Sequence, residues 1–402
     1  ELDVAFVLEG AVRKYGDRFR LTTQLIEVAS GNHLWSETYD GVFSDTIFVV
    51  QANIAKRISA SLNTVITPEV EARIDKVPTT NIAAYDLYVK GNHELYLYWT
   101  TSDTKHLKSS HDLLDKALQI DPEYLQAKAA KGYTFAAENN YDSALVYANK
   151  VLVVDSKFRD AYALKGECYF FTRRPDLSAK NFLKAIELPP KDNVWLWYHT
   201  ALGRAYLYQN ELIRALPYLQ KGLENKEMGG GEYYWVAAAY NSIGDYQKAE
   251  TYSQKAAELA CFGVGQMADI LFAQGKFREA FQYADSTRQL GICQQDCSRS
   301  LFRAALLLGD FELAESYFHQ WRNAGQDFPD YEGLMNMEIG YVYYQLGRTD
   351  EAEKVFAEQI ANLESTLESD KQPFYFAIAR IYAFTGKKNN ALKYLLKSVE
   401  QG

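Results

Sequence analysis

Gly263, Gly265 and Ala268 have the spacing of a dinucleotide-binding fingerprint, in which backbone amides at a strand-to-helix turn hold a pyrophosphate. That chemistry needs a strand before the glycines and a βαβ unit around them. Here they fall between two helical segments, so the spacing reads as a Gly-rich interhelical turn and no cofactor is expected. Cys293 and Cys297 stand one helical turn apart and could supply two metal ligands, but a zinc site takes four and no second Cys or His pair accompanies them. His106 and His111 lie five apart, off the i, i+4 face of a helical metal pair, and read as surface residues. Neither a Gly-x-Ser-x-Gly elbow, a P-loop nor a His-Glu-x-x-His motif occurs. The expectation is a chain without catalytic residues, cofactor or metal, and not an enzyme.

Composition narrows the partner. A formal charge of −9 with a sequence pI near 5.4 opposes binding to a phosphate backbone, which calls for a basic stripe, so no nucleic-acid partner is expected. No apolar run approaches the roughly 18 residues of a membrane span. Four cysteines (Cys168, Cys261, Cys293, Cys297) are too few to staple a secreted scaffold, and a cytoplasmic location is inferred. At 402 residues a single compact core is not expected, which leaves several domains or an extended array.

The array is visible in a recurring phrase, a glycine followed five places later by an alanine: Gly244/Ala249, Gly275/Ala280, Gly309/Ala314, Gly347/Ala352 and Gly386/Ala391. Extended backwards, the anchors continue as Ala215, Ser178, Ala144 and Ser110, with Asn210, Arg173 and Asn139 in the glycine place. Successive anchors are 34, 34, 37, 34, 31, 34, 38 and 39 residues apart. Twelve places before the anchor a small residue recurs (Gly132, Gly166, Gly203, Ala237, Ala268, Gly340, Ala379), where two helices must approach closely. Tyr98 and Phe302 depart from this, so packing there should be looser or shifted. After the anchor, Phe182, Leu219, Phe318 and Phe356 make an apolar stripe. Pro122 and Pro190 close second helices. Each unit therefore reads helix, tight turn, helix, stop.

This pattern over residues 81–402 resembles the tetratricopeptide repeat (TPR) family, whose period is 34. The resemblance implies a mainly α fold: a TPR α-solenoid of about nine helical hairpins, wound as a right-handed superhelix and stabilised by stacking of neighbours. Residues 67–80 read as a linker.

Residues 1–66 keep a different period. Val4, Phe6 and Leu8, then Phe19, Leu21, Thr23 and Leu25, alternate as two strands joined through Tyr15-Gly16-Asp17; Leu34 to Tyr39 is a third strand, and a helix capped by Ser44 runs to Leu62. The phrases at Val7–Arg13, Arg20–Ile26 and His33–Tyr39 are similar to the second half of a TolB-type amino-terminal domain, with Ala11 where serine is common. That resemblance implies a small, incomplete α/β domain, as found beside repeats in bacterial multidomain regulators.

In TPR arrays the first helices of successive units line a concave groove. Projecting the period places Tyr133, Phe170, Trp197, Arg204, Tyr234 and Asn241 there, followed by Phe272, Arg299, Arg303, Tyr341, Tyr344 and Arg380. Glu167, Asp269, Met337 and Phe376 share the projection. About half of the aromatics are expected to pack as core instead. Aromatics and arginines suit recognition of an acidic-aromatic peptide, since they dominate hot-spot energy and arginine pairs with carboxylates. The chaperone-type carboxylate clamp is not reproduced, because Ala129 and Tyr133 hold its places. The function expected is a protein-interaction scaffold, the regulatory part of a larger bacterial protein. The alternative is the sensory region of a nucleotidyl cyclase or transcription regulator whose output domain lies elsewhere.

Overall fold

The computed structural model describes residues 4–42, 46–64, 66–188, 196–224, 230–259, 262–291, 295–323, 329–367 and 375–400. Cys261, Cys293, Pro190 and the proposed cap Ser44 lie outside them. The chain divides into two compact units, Glu1–Cys168 with Lys184–Asp192, and Tyr169–Leu183 with Asn193–Gly402.

The first unit begins with β1 (Phe6–Tyr15), β2 (Arg18–Glu27) and β3 (His33–Val42), an antiparallel sheet in that order. Cross-strand partners share a face, so Leu25 with Trp35, Thr23 with Glu37 and Phe19 with Gly41 lie on one side. Helix α1 (Thr46–Ser61) covers that side over β3, and Phe19, Thr23 and Leu25 are buried with Phe48 and Val50. The stretch expected as linker holds a short helix, α2 (Pro68–Ile74), joined to α1 by Lys56, which pairs with Glu71 and Asp75 at 3.0 and 2.8 Å. Phe48 of α1 meets Tyr85 edge-on at 4.9 Å, carrying the sheet's core into the first hairpin.

Nine hairpins follow among the described residues. They are α3 (Ile82–Thr101) with α4 (Thr104–Ile120), α5 (Leu125–Ala137) with α6 (Tyr141–Val154), and α7 (Arg159–Phe171) with α8 (Pro175–Glu187). Next come α9 (Trp197–Tyr208) with α10 (Leu212–Gly222), α11 (Gly230–Ile243) with α12 (Tyr246–Leu259), and α13 (Phe262–Ala273) with α14 (Phe277–Gln289). The last are α15 (Gln295–Leu308) with α16 (Phe311–Asn323), α17 (Pro329–Gln345) with α18 (Thr349–Leu367), and α19 (Tyr375–Phe384) with α20 (Lys388–Glu400). The nine anchors fall in the nine second helices. All from Ser110 to Ala352 are buried, because the anchor is where the two helices of a hairpin touch.

From the second hairpin on, the residue in the glycine place adopts a left-handed conformation: Asn139, Arg173 and Asn210 at φ 59 to 61°, then five glycines from Gly244 to Gly386; in the first hairpin the left-handed residue is Ser102 at φ 56°, eight places before its anchor. Side-chain oxygens cap several helices, as Asn81 does for Ala84 N–H at 3.1 Å and Asp103 for Lys105 N–H at 3.0 Å. In the first hairpin the close approach is shifted from Tyr98 to Gly91. A Cβ there would sit 2.9 Å from Leu114 Cγ, and Ser110 donates to the Gly91 carbonyl at 2.8 Å. In the seventh, Phe302 is fully buried against Phe318 rather than loosely packed, the rings 5.7 Å apart.

Gly263 and Gly265 lie inside the first turns of α13, not in an interhelical turn as expected. The histidines are not surface residues either. His106 Nδ1 sits 2.7 Å from Glu94 Oε2. His111 Nδ1 accepts from buried Lys131 Nζ at 2.6 Å, and Lys131 also pairs with Asp115 at 2.7 Å. Burial first, then the Lys131 charge, pushes the His111 pKa down.

Candidate partner-binding face

In the second unit the first helices of successive hairpins lie side by side, α9 by α11, α11 by α13 and α13 by α15. Residues spaced by one repeat therefore meet across neighbouring helices. Arg204 of α9 lays its guanidinium 3.9 Å from the centroid of the Phe170 ring, with Tyr208 edge-on to the same ring at 4.9 Å and Trp235 of α11 5.8 Å from the guanidinium. A guanidinium set over aromatic faces is attracted by the ring quadrupoles. Tyr234 meets Trp235 edge-on at 5.1 Å. Asn241 is half-buried, and its Oδ1 has no hydrogen-bond partner among the described residues.

A charged ladder runs across the next helices. Asp269 of α13 receives Arg303 Nη1 at 2.8 Å and lies 3.7 Å from Arg299 Nη2, both from α15. Arg303 Nε is in turn 3.9 Å from Glu338 Oε1 of α17, and its guanidinium lies over Phe272 at 5.2 Å. Glu338 is largely buried, and its Oε2 accepts no hydrogen bond among the described residues. Burial raises its pKa, against the pull of Arg303, Arg380 and Arg299. Arg380 of α19 lies 5.8 Å over Phe384.

The sixteen projected residues thus divide. Trp197 packs between Phe182 at 6.2 Å and Tyr198 at 4.4 Å; Tyr341 packs between Phe311 at 6.2 Å and Phe384 at 4.9 Å. Met337 and Arg299 are buried. Tyr344 and Phe376 are exposed, whereas Arg303 and Arg380 are half-buried. Tyr133 belongs to the first unit, where its hydroxyl donates to the Asp160 carbonyl at 3.2 Å and its ring meets Trp99 at 6.0 Å. Sequence reasoning missed Glu338. The signal was present one helical turn before Tyr341, but its partners lie on other hairpins. Among the described residues no group of three or more His, Cys, Asp or Glu could hold a metal ion, and no helix is long and apolar enough to cross a membrane. Cys297 is buried, and burial pushes the Cys168 thiol up to about 12.

Comparison with known proteins identifies the repeat. A tetratricopeptide repeat model matches residues 160–192, 233–260, 335–361 and 372–401, which correspond to hairpins α7/α8, α11/α12, α17/α18 and α19/α20. A putative adenylate cyclase 3 of Rhizobium meliloti is 33% identical over 130 residues, covering 32% of this chain and 21% of that protein. Anaphase-promoting complex subunit 3 of Schizosaccharomyces pombe is 23% identical over 136 residues, 34% of this chain and 20% of the other. The chain spans about a fifth of the length of these curated relatives. Among solved structures, a tetratricopeptide repeat protein from Parabacteroides merdae superposes with a TM-score of 0.49 at 15% identity, covering 63% of this chain and 99% of that one. The chain carries tetratricopeptide repeats in a TPR-like solenoid, with a small three-stranded sheet at its amino-terminal end.

Proposed function

We propose that this chain is a protein-interaction scaffold that takes a peptide or partner segment along the first-helix face of its second unit. One observation carries the reading. Exposed Tyr344 and Phe376 stand on α17 and α19, the helices that also bear Glu338 and Arg380 of the charged ladder. Large aromatics left in solvent beside partly desolvated arginines are the composition of a binding hot spot. The ladder carries three arginines against two carboxylates, a surplus that favours an acidic-aromatic segment over a basic one. Residues 1–66 serve, on this reading, as a TolB-type module that connects the repeats to a larger bacterial regulator, with 67–80 as the joint.

The test is affinity capture with the wild type and with Tyr344→Ala combined with Arg380→Glu. The variant should lose the captured partner while its helical circular dichroism stays unchanged; equal capture by both would remove this face from consideration. A second reading is favoured by the 33% identity to the putative adenylate cyclase of Rhizobium meliloti. On it, the chain is the regulatory region of a nucleotidyl cyclase whose output domain lies outside these residues. Cyclic nucleotide formation by the product of the whole reading frame distinguishes the two.

A further inference from the structure

We propose that the contact between the first two hairpins is a hinge that opens at one end when His111 takes up a proton. His111 stands on α4 directly after the anchor Ser110 and faces the last turns of α5, the first helix of the next hairpin, with its ring 5.1 Å from that of Phe135. Lys131 Nζ donates to His111 Nδ1 at 2.6 Å. An ammonium has no lone pair to offer, so Nδ1 is bare and the ring proton sits on Nε2, 3.1 Å from Glu138 Oε1. The ring is therefore neutral in this arrangement. A further proton has only Nδ1 to go to, where it would face the ammonium and remove the acceptor of its hydrogen bond.

Exposure decides which charges count. The Lys131 side chain is 5% exposed and that of His111 15%, so two cations would meet where water screens them little. The carboxylates that could offset them are further out: Asp115, 2.7 Å from Lys131 Nζ, is 51% exposed and Glu138 43%. Burial and the Lys131 charge push the His111 pKa down, against the smaller pull of Glu138 and Asp115. Lys108, one turn earlier on α4, is in solvent. The neighbouring helices contribute Tyr147 of α6, which packs on Phe135 at 5.5 Å, and Glu94 of α3, held by His106 Nδ1 at 2.7 Å. The other end of the same interface is apolar, with Leu114 and Ala117 of α4 packed on Tyr124, Ala127 and Ala130 at the start of α5. That end holds while the His111 end separates, so the hairpins swing rather than unfold. The sheet rides on the first hairpin, where Phe48 of α1 meets Tyr85, and the hinge thereby sets its position against the second hairpin. Because the ring loses affinity for protons on folding, the contact is intact above about pH 6.5 and weakens as the pH falls through that value.

Hydrogen exchange of the 402-residue chain, corrected for the intrinsic pH dependence of exchange, tests this at about pH 7.5 and about pH 5. Protection of the amides from Lys131 to Ala137 should fall about tenfold at the lower pH, the scale of one buried hydrogen bond lost, while α11 and α12 of the second unit keep theirs. His111→Gln keeps an acceptor for Lys131 and a donor for Glu138 without a titrating ring, and should abolish the fall. Lys131→Met removes the facing cation and should abolish it as well, whereas His106→Gln should leave it in place. Unchanged protection at the lower pH overturns the proposal, and so does an equal loss in α11 and α12. A fall that persists in whichever of His111→Gln and Lys131→Met folds, or one that His106→Gln removes, overturns it too.

Discussion

Hairpins α9/α10 and α17/α18 make the same helix crossing as α11/α12 and α13/α14 with a different distribution of volume. In the first pair the crossing residue of the first helix is glycine, and the residue sixteen places on is large. A Cβ on Gly203 would lie 2.6 Å from Leu219 Cγ, and one on Gly340 would lie 2.7 Å from Phe356 Cε1. In the second pair, Ala237 is followed by Ser253 and Ala268 by Ala284, all of them buried. In these four hairpins a glycine thus faces a large partner and an alanine a small one, so no more than one of the two crossing residues is bulky, as expected of interiors packed to crystal density. The seventh hairpin, with Phe302 and Phe318 both buried, accommodates two large rings only by tilting them 55° to one another.

The strongest way to break this comparison is to add volume where there is none. Gly203→Ala should destabilise the protein by about 3 kcal/mol, since Leu219 and the Ala215 carbonyl leave its Cβ no room. A fall in the urea midpoint checks it, and a midpoint within error of wild type would mean that the hairpin opens at no cost. Next in size is the coupling between the two positions. Leu219→Ala alone leaves a cavity, but combined with Gly203→Ala it recreates the small-with-small crossing of Ala268 and Ala284. The double-mutant cycle should return a favourable coupling of about 1.5 kcal/mol, and additive single effects would sink the volume rule.

The turn of each hairpin sets a different demand on glycine, and Gly309→Ala separates the two. At φ 80° a Cβ on Gly309 meets nothing within 4 Å, so the whole cost is backbone conformation. Gly309→Ala should cost about 1 kcal/mol. No change at the partner position should rescue it, unlike Gly203→Ala, and rescue by a compensating truncation in α16 would show the distinction to be wrong.

Much of this was legible in the sequence, because it is local. Anchors 31 to 39 residues apart marked the hairpins, and the glycine place marked a tight turn even where Asn139 or Arg173 holds it, a turn that the fold makes left-handed. The three strands were legible from alternation of apolar residues. What the period could not supply was the direction of a side chain within a half-buried face. Arg303 reads as a groove residue, and only coordinates reveal that Asp269, 34 residues earlier, accepts from it and that Glu338 approaches it from the following hairpin. Likewise Gly91 replaced Tyr98 at the first crossing because α3 is 20 residues long, longer than the other first helices, which let the contact move along it.

The finest contrast lies between two turns of the same geometry, with φ 61° at Arg173 and 60° at Asn139. Arginine has no local means of compensating a left-handed backbone, and its guanidinium rests 5.9 Å from the Tyr208 ring, a weak contact. Arg173→Gly removes the steric cost of about 1 kcal/mol, while it loosens the unfolded chain and gives up that contact. The balance should stabilise the protein by about 0.5 kcal/mol. Asparagine tolerates the left-handed region, and Asn139 Oδ1 also accepts from the Tyr141 hydroxyl at 2.7 Å, so Asn139→Gly should leave the urea midpoint unchanged or slightly lower. If both glycine variants shifted the midpoint alike, the side chain at the turn would be irrelevant, and the early hairpins would differ from the later ones in name only.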